Sequence, residues 1–284
     1  MIYTTLISTS DLVARLGEGN WLLVDCRFDL ANTSWGREQY SESHIRGALY
    51  AHLDEDLSGP IIKGRTGRHP LPSPVDLATK LSAWGVGNDT QVIAYDQGGG
   101  MLAARLWWLL RWLGHDKVAV LDGGWQRWQQ EGREVNCDIP SPKAGAFVAQ
   151  LRDELQAQVD DVIACQQDDS RCLLDARGAD RFRGENETID PVAGHIPGAV
   201  SAPFMNNLGS DGCFLDKPAL RARYLKLMGD SDPGDAIIYC GSGVTAAHDV
   251  LAMLHVGLDE PRLYVGSWSH WVTDPSRAVV IGDG

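Results

Sequence analysis

Four short stretches of this chain occur twice, in the same order and at nearly one spacing. Val24-Asp25-Cys26-Arg27 returns as Leu174-Asp175-Ala176-Arg177, 150 residues later, and His44-Ile45-Arg46-Gly47-Ala48 returns as His195-Ile196-Pro197-Gly198-Ala199 after 151. Val92-Ile93-Ala94-Tyr95-Asp96 answers to Ala236-Ile237-Ile238-Tyr239-Cys240 after 144, and Gly123-Gly124-Trp125 with Trp128 to Gly266-Ser267-Trp268 with Trp271 after 143. Solenoid repeats have periods of roughly 20–50 residues, so this period is that of a whole domain. The sequence therefore predicts two copies of one fold, at 1–140 and 150–284. A linker near Cys137 to Gln150 joins them, where Pro140, Pro142 and Gly145 interrupt regular structure.

Within each copy apolar strands alternate with helical patterns. Trp21–Asp25, Gln91–Tyr95 and Val118–Leu121 read as strands in the first, with a helix over Met101–Leu113 closed by Gly114. Cys172–Leu174, Ala236–Tyr239 and Arg262–Val265 read as strands in the second, with a helix over Thr245–Val256 closed by Gly257. Continuous apolar strands separated by helices predict an α/β fold with a mostly parallel sheet flanked by helices in each copy. In such sheets ligands bind beyond the carboxyl ends of the strands.

One strand-to-helix loop carries chemistry: Tyr239-Cys240-Gly241-Ser242-Gly243-Val244-Thr245-Ala246. The cysteine stands where the strand stops, two glycines let the chain curl, and a helix follows at once. Backbone N–H groups turned inward at a helix N-terminus favour an anion. A thiol held there favours its thiolate, so Cys240 is the candidate nucleophile. A free cysteine elsewhere is usually a small buried apolar residue, which is the reading for Cys26, Cys137, Cys165, Cys172 and Cys213. The corresponding loop in the first copy has Asp96 in place of the cysteine, followed by Gln97-Gly98-Gly99-Gly100. A carboxylate cannot do sulfur chemistry, so the first copy is the non-catalytic one.

Rival chemistries lack their parts. A cysteine phosphatase needs an arginine six positions after its cysteine to clamp phosphate, and Ala246 stands there. No Gly-x-Ser-x-Gly marks a strand end, no Gly-x-Gly-x-x-Gly follows the first strand, and neither Cys-x-x-Cys nor His-Glu-x-x-His occurs. With 25 basic against 38 acidic residues and a formal charge of −13, nucleic acid is not an expected partner. No apolar run approaches the roughly 18 residues of a membrane span, so no membrane partner is expected. Met1 to Ser10 carry no Lys or Arg, unlike a secretory signal, and the six cysteines are read as reduced thiols in the cytoplasm.

On these residues the chain resembles the tandem-domain rhodanese-type sulfurtransferases over nearly its whole length. The doubled His-Ile-x-Gly-Ala stretch, the Gly-Gly-Trp and Gly-Ser-Trp elements and the Cys240 loop carry the likeness, and the loop is most similar to that of 3-mercaptopyruvate sulfurtransferases. The resemblance implies that Cys240 takes sulfur from a small anionic donor, 3-mercaptopyruvate or thiosulfate, as a persulfide. The sulfur then passes to a thiophilic acceptor: cyanide, a thiol, or thioredoxin. No metal or organic cofactor is implied. It further implies Arg181 as the anchor of the donor's anionic end, with Gly241, Ser242, Gly243, Val244 and Thr245 as the binding loop and Phe28 as an aromatic wall. His44 and His195 are read as organisers of the backbone. The stretch Glu185–Ala193 holds no arginine, where mercaptopyruvate enzymes often carry a second one. The loop itself has no basic residue, which favours mercaptopyruvate over thiosulfate as donor. A thiosulfate-preferring enzyme and a persulfide carrier without turnover are the alternatives.

Overall fold

The computed structural model describes residues 2–168 and 170–283. Met1, Asp169 and Gly284, which fall inside the expected domain limits, lie outside the described residues. Two five-stranded parallel sheets organise the chain. The first has the order Leu6–Ile7, Val118–Leu121, Gln91–Tyr95, Trp21–Asp25, Leu49–Tyr50. The second, taken from its corresponding end, has Gln156–Ala157, Arg262–Tyr264, Ile237–Tyr239, Leu173–Asp175, Ala199–Ser201. Ranked along the chain, both orders are first, fifth, fourth, second, third. The duplication seen in the residues is thus a duplication of topology.

The central strands form because they are almost wholly apolar, the buried Gln91 bonding the Tyr3 backbone. Every residue of Gln91–Tyr95 and of Ile237–Tyr239 is buried, as a strand covered on both faces requires. The helices Ala103–Trp112 and Thr245–His255 follow these strands. The first is apolar around nearly its whole circumference, and nine of its ten residues are buried; a helix of that kind is stable only when enclosed. Polar helices start on conventional caps instead. Ser73 accepts from the Asp76 N–H at the start of Pro74–Ala83, and Asp216 from the Ala219 N–H at the start of Lys217–Met228, each helix having Pro in its first two positions.

The repeated motifs are structural brackets. In each copy an Asp and an Arg two residues apart form a fully buried pair, Asp25–Arg27 and Asp175–Arg177, both at 2.6 Å. Each guanidinium also lies over a tryptophan of the later motif, Trp125 at 4.4 Å and Trp268 at 4.7 Å. A tyrosine hydroxyl accepts the N–H of the residue after the repeated histidine: Tyr95 from Ile45 at 3.2 Å, Tyr239 from Ile196 at 3.1 Å. His44 bonds the carbonyls of Tyr40 and Asp138, and His195 that of Phe182; both are buried and organise backbone, as expected.

Two compact units result. One comprises Met1–Gly59, Pro72–Arg152 and Ser210–Phe214, the other Pro60–Leu71, Asp153–Gly209 and Leu215–Gly284. Each unit therefore includes one short segment from the other half of the sequence. In the N-terminal unit, the Phe214 N–H binds the Asp122 carboxylate at 2.9 Å, fixing the segment that arrives from the far half.

Candidate active site

The Ile237–Tyr239 strand delivers Cys240 to the N-terminal end of the Thr245–His255 helix. The thiol is buried at 2% exposure. Its Sγ accepts the N–H of Gly243 at 3.1 Å and that of Ser242 at 3.5 Å. Those two N–H groups lie in the turn that leads into the helix, where the helix dipole adds positive potential, and the cap residue Val244 makes no side-chain bond there. Gly243 can be nothing larger. Its φ is +76°, and a Cβ there would overlap the Val265 carbonyl oxygen.

From below, the loop is held by the Gly266–Ser269 turn. Ser267 Oγ accepts the Cys240 N–H at 3.0 Å, donates to the Tyr264 carbonyl at 2.9 Å and lies 4.0 Å from Sγ. The Trp268 and Ser269 N–H groups bind the carbonyls of Cys240 and Gly241, each at 2.9 Å. Ser267 adopts φ +53°, the one non-glycine residue with positive φ among those described. Its counterpart in the first copy is Gly124, at φ +54°. A serine in a conformation that elsewhere takes glycine marks a side chain kept for its hydroxyl.

The first copy shows what this loop geometry binds. Asp96 replaces the cysteine, and its carboxylate accepts four backbone N–H groups: Gly98 at 3.0 Å, Gly100 at 3.1 Å, Leu102 at 2.7 Å and Ala103 at 3.1 Å. Burial pushes this carboxyl above the usual carboxylate range, and the four donors offset only part of that. The cradle of the first copy is thus filled by a carboxyl group of the chain itself.

Around the thiol stand groups that motif reading missed. The segment Pro60–Leu71 comes from the first half of the sequence and packs in the C-terminal unit. Its Arg68 N–H donates to Ser269 Oγ at 3.0 Å, and a Cβ on Gly67 would lie 2.5 Å from the Gly266 carbonyl oxygen. His69 is buried, with Nδ1 2.7 Å from Ser242 Oγ. Arg181, on the short Ala179–Phe182 helix, is forked on Glu187 at 2.9–3.0 Å and reaches Asp190 at 3.0 Å. Burial pushes Glu187 up, but the Asp190 and Ile189 N–H groups and the Arg181 guanidinium outweigh it and hold the carboxyl below its ordinary range.

Of the residues expected at the site, the structure gathers Cys240, Gly241, Ser242, Gly243 and Val244 in one loop and Thr245 at the first position of the helix that follows, with Arg181 against the loop: a Cβ on Gly241 would lie 3.5 Å from Arg181 Nη1. Phe28 belongs to the N-terminal unit, where it is buried edge-on against His52 at 5.0 Å. Burial raises the thiols of Cys26, Cys165, Cys172 and Cys213, the last two to about 11, which keeps them protonated and poor nucleophiles. No helix among the described residues is long and apolar enough to cross a membrane.

Comparison with known proteins agrees with this architecture. The sequence profile of the rhodanese-like domain matches residues 8–131 and 153–274. The chain belongs to the rhodanese-like family, as two tandem domains of which the second carries the cysteine loop. A Pseudomonas aeruginosa protein named "Probable 3-mercaptopyruvate sulfurtransferase" is 49% identical over 98% of both chains. The thiosulfate sulfurtransferase of Rattus norvegicus is 32% identical over 95% of this chain and 93% of its own. The crystal structure of SseA, a 3-mercaptopyruvate sulfurtransferase of Escherichia coli, superposes with a TM-score of 0.81 at 29% identity, covering 94% of this chain and all of the other.

Proposed function

We propose that this sulfurtransferase works through a persulfide on Cys240, with 3-mercaptopyruvate as donor. The thiolate attacks the donor sulfur. The carbon–sulfur bond breaks, its electron pair leaves on carbon as the enolate of pyruvate, and a proton completes the methyl group. The proton comes from the donor's own thiol, and its carrier is the Ser242 hydroxyl, which pairs with His69 and belongs to the residue whose N–H binds Sγ. The extra sulfur remains on Cys240, where the loop N–H groups support its negative charge. A nucleophilic acceptor then attacks the outer sulfur, and the Cys240 thiolate leaves. Cyanide or a small thiol meets this requirement, and thioredoxin is the protein thiol we propose. Six unpaired cysteines fit a reducing compartment, and we place the reaction in the cytoplasm. The relatives' names support both mercaptopyruvate and thiosulfate as donors; a cysteine loop without a basic residue favours the former.

One observation carries the reading. The cradle that holds a carboxylate in the first copy holds a thiol in the second. Donor treatment followed by peptide mass spectrometry should add one sulfur atom to the peptide containing Cys240, and cyanide should remove it as thiocyanate over many turnovers. Cys240→Ser should abolish both. Undiminished thiocyanate production by that variant overturns the mechanism, and loading without repeated turnover favours a carrier.

A further inference from the structure

Arg68 and Arg181 come from segments more than a hundred residues apart, yet their guanidinium groups converge on one backbone position. A Cβ on Gly241, the residue after the thiol, would lie 3.1 Å from Arg68 Nη2, 3.5 Å from Arg181 Nη1 and 3.6 Å from Arg181 Nη2. Two like charges so close need a counter-charge, and Asp190 provides it. Its two carboxylate oxygens divide between the pair, Oδ1 to Arg68 Nη1 at 2.6 Å and Oδ2 to Arg181 Nη2 at 3.0 Å. Glu187 takes the remaining inner edge of Arg181 through Nε and Nη2. What these acids leave over is specific. Among the described residues neither Arg68 Nη2 nor Arg181 Nη1 has a protein acceptor, and the buried Arg68 Nε has none either. Two N–H-bearing nitrogens, one from each guanidinium, face Gly241 beside the thiol. Behind them, the backbone bond from Arg68 to Ser269 fixes the first arginine to the same turn that holds Cys240 in place.

We propose that Arg68 is a donor-binding residue, and that with Arg181 it forms a split clamp for the carboxylate and adjacent keto oxygen of an α-keto acid donor. The inference rests on sulfur transfer at Cys240. A planar α-keto carboxylate presents neighbouring oxygens that two guanidinium groups can share, each at its own angle. The sulfonate end of thiosulfate is a single tetrahedral head and gains less from a second, offset fork. Arg68 thereby biases the site toward the carboxylate donor, although it lies far outside the loop that bears the nucleophile.

The test uses pyruvate, the product, which carries the same carboxylate and keto group but no sulfur. Iodoacetamide alkylation of Cys240 is followed by mass spectrometry with increasing pyruvate, in the full chain and in Arg68→Ala and Arg68→Lys. Lysine keeps the charge beside Asp190 and guards against loss of the local fold, while giving up the second nitrogen. Pyruvate should protect the parent thiol. Measured against each protein's own alkylation rate without pyruvate, both variants should need about tenfold to a hundredfold more pyruvate for equal protection, the range of a lost charge-assisted hydrogen bond. In turnover, KM for mercaptopyruvate should rise more than KM for thiosulfate, with kcat nearly constant. Equal protection in all three proteins overturns the proposal. So do equal KM increases for both donors, or a variant alkylation rate that shifts as much without pyruvate as with it. Because alkylation needs a thiol but no turnover, it reads Arg68 even if Cys240→Ser were to sink the persulfide mechanism.

Discussion

Ser267 shows how much one residue can be asked to do. Its backbone sits where its counterpart is glycine, at a cost of roughly 1–2 kcal/mol for a side-chain-bearing residue. Its hydroxyl compensates by binding the Cys240 N–H and the Tyr264 carbonyl. Conformation and hydrogen bonding can be separated by two substitutions. Ser267→Gly keeps the turn and loses the hydroxyl, so its melting temperature should stay within about 2 °C of the parent. Ser267→Ala loses the hydroxyl and retains the strain, and should melt lower than the glycine variant. Both should lose about three- to tenfold in kcat/KM, since the amide under the nucleophile is released in each. Equal melting of the two variants would deny the strain; full activity in both would deny the hydroxyl its part.

At the scale of elements, the helix that starts beside the thiol carries a buried carboxyl further along. Asp249 is fully buried, with Oδ1 accepting from Asn207 at 2.7 Å and from Tyr224 at 3.0 Å, and Oδ2 buried with no partner among the described residues. Burial pushes its carboxyl up from 3.8 to about 7. The sign follows from proton counting: between these values the folded state binds more protons than the unfolded one, so stability falls as pH rises from about 4 to about 7 and then levels off. Asp249→Asn should remove that component, on the order of a few kcal/mol at most. Urea denaturation at pH 5 and pH 8 checks it, and a variant with the parent's full pH dependence would contradict it. The strands Trp21–Asp25, Gln91–Tyr95 and Val118–Leu121 are readable in the sequence as largely apolar runs bounded by glycine or polar residues, and this helix by its start right after the glycine loop and its close at Gly257. The outer strands Leu6–Ile7, Leu49–Tyr50, Gln156–Ala157 and Ala199–Ser201 are two or three residues long, too short for any period to show. The Cys240 loop was legible for a related reason: nucleophile, glycines and helix start lie within six residues. His69 reaches Ser242 across 173 residues, and no local pattern announces such a pairing.

At the scale of the whole molecule, one topology appears twice with different occupants in the same cradle. The four N–H groups around Asp96 are internal to the N-terminal unit and depend on a single carboxylate. Asp96→Ala should leave them without an acceptor and cost about 1–3 kcal/mol after any inflow of water, seen as a lower urea midpoint. An unchanged midpoint would mean that the carboxylate contributes nothing net, its burial cancelling its bonds. The Asp25–Arg27 and Asp175–Arg177 pairs show what the repeated Asp-x-Arg motif does in each copy. Each is enclosed, each meets a tryptophan from the later motif, and removal of one partner strands a buried charge.

The segment 60–71 has a consequence for anyone who would divide this chain. Cutting at the proline-rich stretch after Cys137 separates the two repeats neatly as text, but the downstream fragment departs without Arg68 and His69. Such a fragment would possess the sulfur-bearing atom and lack the imidazole and one guanidinium beside it. The border between the ancestral copies and the border of the working half fall in different places, so gene fragments meant to isolate the chemistry must carry a dozen residues from the supposedly silent copy.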